Sequence, residues 1–182
     1  MWYGVLDSKE VKKNKPLFAK RLNKNLVFWR DENNNICCIE DKCCHRGASL
    51  SSGKVCGNNI ACPFHGFQFN KNGKVVIIPA NGKNTQIDER FFVESYEVRE
   101  LYGLIWLWYG DKEKINDKIM FPDDLKDKKF SYSTIRDEWH NHYTRCIENQ
   151  LDVVHVAFVH YNTIGKGNKT VVNGPLVEMD ED

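Results

Sequence analysis

The sequence predicts a mainly β fold, an antiparallel barrel or sandwich of about 110 residues, followed by a charged connection and a helical segment. Three observations predict it: short apolar runs recur along the first hundred residues, turn clusters punctuate them, and this pattern stops near Asp111. Leu17 to Leu22 and Asn25 to Arg30 flank an Asn23-Lys24 turn, and Ile36 to Glu40 follows the turn cluster Asp31 to Asn35. Asn70-Lys71-Asn72-Gly73 is a hairpin signal, with Phe67-Gln68-Phe69 entering and Val75 to Ile78 leaving. Phe91 to Arg99 and Leu104 to Tyr109 complete the strands, the latter rich in residues that suit a packed sheet. Asp7 to Lys13 has the makings of one helical turn, with Asp7 as cap and Glu10 in the first turn.

This divides the chain into a strand-rich domain over 1–110, a linker over 111–130 interrupted by Phe121-Pro122, and a segment over 131–182 with a helix around Cys146 to His160. The tail from Gly165 is turn-rich, and no internal repeat is present.

With 182 residues, 41% hydrophobic and 28% charged, the chain is globular in composition. Its 26 basic and 25 acidic residues give a net charge of +1 without a basic stripe, which argues against nucleic acid as a partner. The strongest apolar run, Leu104 to Tyr109, is far shorter than the roughly 20 residues that span a bilayer. The N-terminus lacks the basic start and apolar core of a signal peptide, so the expectation is a cytoplasmic protein that does not enter the membrane. Seven cysteines, an odd number without an export signal, favour metal ligation over a disulfide framework.

The first chemical constellation is a pair of short boxes. Cys43-Cys44-His45-Arg46-Gly47 and Cys62-Pro63-Phe64-His65-Gly66 each offer a Cys and a His, and 16 residues separate His45 from Cys62. Two such loops can pinch a cluster between them, and a Gly close to each His lets backbone come near. Cys43, His45, Cys62 and His65 are therefore candidate ligands of a [2Fe–2S] cluster. Replacing two thiolates by imidazoles lifts the potential from about −400 mV to roughly −150 to +300 mV. The competing reading is a structural zinc site. Zinc spacings usually pair Cys with Cys and His with His, whereas the order here alternates.

The boxes resemble those of Rieske proteins, and C-x-H-R-G with C-P-F-H-G-F resembles the version in Rieske oxygenases. Cys44 stands where these oxygenases commonly have Pro, and Phe64 leaves it no disulfide partner in the second box, so it reads as a free thiol. Cys37, Cys38, Cys56 and Cys146 read as buried apolar side chains.

The second constellation is Asp152, His155 and His160 within Glu148 to His160. On one continuous helix, Asp152 and His155 lie about 60° apart, but His155 and His160 diverge by about 140° and share a metal only if the helix is broken or bulged between them. The surrounding Val153, Val154, Val156, Ala157, Phe158 and Val159 predict a dry setting. The stretch is similar to the N/E-x2-D-x2-H-x4-H signature of Rieske non-heme iron oxygenases.

That resemblance, to the α (terminal oxygenase) subunit, covers nearly the whole chain. It implies that His155 and His160 bind a mononuclear Fe(II), with a third carboxylate ligand far downstream. Asp152 matches an acid bridging one subunit's iron histidine to the neighbour's cluster histidine, here His65, and Asn149 matches a residue near the iron. The implied fold is a Rieske-type β domain with a cluster-binding subdomain, then the start of an α+β catalytic domain, truncated at Asp182. The implied activity is O2-dependent oxidation (hydroxylation or demethylation) of a small organic substrate. Electrons would come from a reductase, in some systems through a ferredoxin, and the full-length assembly would be a homotrimer. Glu178, Asp180, Glu181 and Asp182 do not match the third ligand, and His140 and His142 read as ordinary polar residues. The alternative is a stand-alone Rieske ferredoxin, an electron carrier that leaves Asp152, His155 and His160 without a purpose.

Overall fold

The structure is a computed structural model and describes residues 1–82, 85–121, 135, 137–167 and 170–171. The chain divides into two compact units, 1–133 and 134–182. The sequence expectations for residues 122–130, the end of the turn-rich tail and the four terminal acids lie outside the described residues.

The described residues of the first unit form ten strands in three antiparallel sheets, in keeping with the expected fold class. β1 (Trp2–Asp7), β10 (Leu104–Trp108) and β9 (Val98–Leu101) form one sheet in the order β1-β10-β9. β2 (Leu17–Arg21), β3 (Lys24–Arg30) and β4 (Ile36–Glu40) form a meander. β5 (Lys54–Cys56), β6 (Asn59–Ala61), β7 (Gln68–Phe69) and β8 (Val75–Ile77) form the third sheet in chain order.

The meander is the middle layer, because period-two alternation sends its side chains into two different cores. Val27, Trp29, Cys37 and Ile39 enter a core shared with Leu50, Ile60, Phe69 and Val75 from the β5–β8 side. Leu26, Phe28 and Cys38 enter a second core with Val5, Leu6, Ile105 and Leu107 from the β1-β10-β9 sheet. A strand buried on both faces reads as a continuous apolar run, as Leu26-Val27-Phe28-Trp29 does. Each of these side chains contributes about 1.5–3 kcal/mol by leaving water. On the outer side of β10, Trp2, Trp106 and Trp108 pack with Ile115, Ile119 and Phe121.

Several sequence expectations need correction. The β2–β3 turn is Leu22-Asn23, both at positive φ, one residue earlier than expected, with Arg21 paired to Lys24. That is the two-residue hairpin whose handedness matches strand twist. The run Phe91 to Arg99 is a strand only from Val98, touching its neighbours through single bridges at Phe92 and Ser95. The early helical turn is a 3-10 turn, Ser8–Glu10, closed by a reciprocal capping box between Asp7 and Glu10. β1, β5 and β6 were not expected. β1 has no polar–apolar alternation, and β5 and β6 have three residues each.

One polar knot ties the layers together. Arg30, at the buried end of β3, donates to the carbonyls of Val11, Asn34 and Ser8 and forms a bidentate pair with Glu100 of β9, at 2.7 and 3.0 Å. The Arg30 hydrogen bonds hold the Glu100 carboxyl below its ordinary range, and the Ser8 hydroxyl adds to this. A depressed folded-state pKa stabilises above the unfolded value of about 4.3 and is lost as pH falls through the folded value. Arg30→Ala should therefore cost about 3 kcal/mol at neutral pH by urea unfolding. Glu100→Gln should lower neutral-pH stability and narrow the gap to the parent as pH drops below about 4. A constant gap from neutral to acid pH would remove Glu100 as the source of acid sensitivity.

Candidate metal centre

Cys43 follows the end of β4 by three residues, and Cys62 follows β6 directly. The two loops have the same backbone plan. In the first, the Cys43 N–H donates to Ala48 O and the Gly47 N–H donates to Cys43 O, both at 2.8 Å. In the second, the Cys62 N–H donates to Phe67 O at 2.8 Å, and the Gly66 N–H donates to Cys62 O at 3.1 Å. Each loop thus closes on its cysteine from positions four and five residues on. Closure takes a left-handed residue at the fourth, supplied by Gly47 (φ 74°) and Gly66 (φ 73°).

This plan sets inner thiols against outer imidazoles. Cys43 and Cys62 are buried, at 3% and 4% exposure, as members of the core that also holds Trp29 and Ile39. Their thiols are close enough to act on each other electrostatically. His45 and His65 are exposed at the loop tips, with ring centroids 4.7 Å apart and planes at 61°. Phe67, from the second loop, lies flat on His45 of the first at 4.9 Å and 4°. Phe64 covers His65 from outside.

Burial pushes the Cys43 thiol up to about 11, the adjacent Cys62 adding to this and the His45 backbone N–H opposing it. A metal that takes the thiolate must displace that proton, so assembly releases protons. Among the described residues no three His, Cys, Asp or Glu side chains converge on one point. A two-iron cluster does not need such convergence, because each iron takes two protein donors and two sulfides. Two buried thiols and two accessible imidazoles from matched loops therefore fit a mixed-ligand [2Fe–2S] group.

The other cysteines follow their expected character only in part. Cys37 and Cys38 are buried, and burial pushes both thiols up, Cys37 to about 12. Cys56 and Cys146 are half-buried, and Cys44 is an exposed free thiol.

In the second unit the expected single helix is two. α1 (Tyr143–Leu151) ends at Asp152, and α2 (Val156–Val159) begins after His155. The break falls before His155, not between the histidines, because Asp152 Oδ1 accepts from the N–H groups of Val154 (2.9 Å) and His155 (3.3 Å). His155 and His160 flank one short helical turn, and because His160 leaves helical backbone (φ −107°, ψ 29°) their rings come to 5.4 Å, which a continuous helix would forbid. His155 Nδ1 is buried without a hydrogen bond, 3.6 Å from Asp152 Oδ2. That orphaned nitrogen and the nearby second imidazole fit two of the ligands of a mononuclear metal. The expected dry setting is not found: Val153, Val154, Phe158 and Val159 are exposed. A four-residue helix offers too few neighbours among the described residues to cover an apolar face. Asn149 is exposed on α1, and His140 and His142 are exposed ahead of it.

Thiols and imidazoles brought together by two matched loops fit an iron–sulfur electron-transfer domain. The chain belongs to the Rieske [2Fe–2S] domain family, whose model matches residues 1–97, and residues 139–182 match the vanillate O-demethylase oxygenase C-terminal domain. Protein TIC 55 of Pisum sativum is 34% identical over 163 residues, covering 89% of this chain and 30% of its own. Methylxanthine N1-demethylase NdmA of Pseudomonas putida is 31% identical, covering 98% of this chain and 51% of its own. Its solved structure superimposes with a TM-score of 0.79 at 28% identity, over 94% of this chain and 53% of that one. Dicamba monooxygenase with non-heme iron and dicamba gives a TM-score of 0.63 at 29% identity, over 70% and 38%. The chain spans about half, or less, of the length of these relatives. No described helix is long and apolar enough to cross a membrane.

Sequence reasoning missed Asp41. Its carboxylate is buried at the root of the first loop and accepts from Ser49 and Ser51. An acid two residues before a ligand, followed by a serine pair, was the available signal.

The two glycines predict a graded response in urea unfolding of the metal-free chain. A Cβ on Gly66 would lie 3.0 Å from Pro79 Cγ, in addition to the left-handed strain, so Gly66→Ala should cost about 2 kcal/mol. Gly47→Ala meets only an ordinary contact with Lys42 and should cost about 1 kcal/mol. Equal costs would show that Pro79 does not limit the second loop.

Proposed function

We propose that this chain is part of a Rieske-type oxygenase, with Cys43, His45, Cys62 and His65 holding a [2Fe–2S] cluster. The observation that carries the reading is the matched pair of loops, which buries two adjacent thiols and exposes two imidazoles 4.7 Å apart. When bound, the cluster accepts and passes on single electrons at a potential raised by its imidazole ligands. The protein's own part is to keep the sulfur side dry, inside the core, and the imidazole side open toward partners. An outward ring nitrogen on His45 or His65 offers a hydrogen-bond handle that thiolates lack.

His155 and His160 are the proposed ligands of a mononuclear Fe(II), whose third, carboxylate ligand lies outside this chain. Asp152 shapes this second site by ending α1 and approaching His155, and is the proposed bridge toward His65 of a neighbouring copy. In domain terms, 1–110 is the cluster domain, 111–130 the connection and 131–182 the first part of the iron-binding domain. Electrons come from a reductase, directly or through a ferredoxin. The reaction is O2-dependent hydroxylation or demethylation of a small, cyclic or aromatic substrate by a cytoplasmic homotrimer. A bare electron carrier would give the His155–His160 pair nothing to do.

Replacement of the proposed ligands separates the two centres. In anaerobically prepared, dithionite-reduced protein, His65→Ala should abolish the low-temperature cluster EPR signal. His155→Ala should leave that signal intact while ending substrate oxidation by the full-length protein. Loss of the cluster signal in His155→Ala would overturn the division of ligands.

A further inference from the structure

The two cluster loops share a backbone plan but rest on different foundations. The second grows out of a ladder: β6 and β7 pair through Ile60 with Phe69 and Ala61 with Gln68, so the residues flanking Cys62 and Phe67 are held by sheet hydrogen bonds. The first has no such ladder. β4 stops at Glu40, and the returning chain is a 3-10 turn, Leu50–Ser52, not a strand.

A single side chain stands where the ladder is missing. Asp41 is buried at 7% exposure, and its backbone N–H donates to Asn25 O at 2.9 Å, fixing it to the start of β3. Its carboxylate reaches across the root of the loop. Oδ1 accepts from the Ser51 N–H at 2.6 Å, and Oδ2 accepts from the hydroxyls of Ser49 at 2.5 Å and Ser51 at 2.7 Å. A carboxylate is acceptor-only, so three donors converging on its two oxygens satisfy it without a counter-charge. The chain leaves at position 41 and returns at 49–51, and between these points lie Cys43 and His45.

We infer that Asp41 is a positioning residue for the first pair of cluster ligands, pinning the root of the Cys43–His45 loop as the β6–β7 ladder pins the second. The pin sets the separation of the two loops and so the separation of the two ligand pairs. It also places a carboxylate two residues from Cys43. This inference rests on the ligand set proposed above.

The nearest isostere, Asp41→Asn, keeps the shape but removes the charge and one acceptor oxygen, and it turns an NH2 group toward one of the donors. Ser51→Ala removes one hydroxyl donor and keeps the charge. Both are tested in the chain loaded with its cluster, by loss of visible absorbance in the presence of a chelator and by spectroelectrochemical midpoint potential. Tryptophan-monitored urea unfolding runs alongside. Asp41→Asn should bleach about tenfold faster and show a higher midpoint, because less negative charge faces the added electron. A tenfold change in the one-electron equilibrium corresponds to about 59 mV. Ser51→Ala should bleach faster with little change in midpoint, and it decides the mechanical part if Asp41→Asn does not fold. In both variants the urea midpoint should fall proportionately less than cluster lifetime. Bleaching and potential matching the parent, or a loss of lifetime fully accounted for by lost global stability, would overturn the inference. Absence of a cluster in the parent would instead refute the ligand assignment.

Discussion

The structure turns on one constraint: the core that holds the sheets together is also the floor of the proposed metal centre. Cys43, Cys62 and Phe67 belong to the same buried cluster as Val27, Trp29, Ile39 and Ile60. Native interiors are close-packed, so the thiols cannot move independently of the meander beneath them. Their partners in the proposed cage, His45 and His65, sit outside that core and face solvent. An electron-transfer site needs this asymmetry. The sulfur side is shielded, where low dielectric and fixed dipoles set the potential, and the imidazole side stays within reach of a partner.

The loops themselves were legible in the sequence, because the proposed ligand boxes are local. Cys-x-His and Cys-x-x-His, each followed within two residues by glycine, contain donors, spacing and backbone freedom in five residues. The hairpins at Leu22-Asn23 and Asn70 to Gly73 were legible for the same reason, apart from a one-residue shift in the first. What was not legible depends on residues far apart in the chain. β1 is a strand because β10, a hundred residues on, supplies its ladder. Asp41 is a clamp because the chain comes back at Ser49 and Ser51. The Cys56 to Asn59 hairpin did carry a local signal, Gly57-Asn58, but its strands are too short for alternation to show.

The second unit shows how one side chain can overrule periodicity. The spacing of Asp152, His155 and His160 suits no single face of an uninterrupted helix. The structure resolves the conflict at both ends: Asp152 accepts the backbone N–H groups of Val154 and His155 where α1 stops, and His160 leaves helical backbone where α2 stops. The helix stops, a short one begins, and the histidines at its two ends face each other. The apolar residues around them, read from sequence as a dry lining, are exposed in this half-length relative of larger oxygenase subunits.

The central claim is that a sulfide-bridged diiron group fills the space between the matched loops. Iron, zinc and acid-labile sulfide, quantified per chain in protein isolated without oxygen, test it most directly. The expected result is two sulfides per chain, at least two irons and no stoichiometric zinc. Sulfide-free protein carrying one zinc per chain would contradict it.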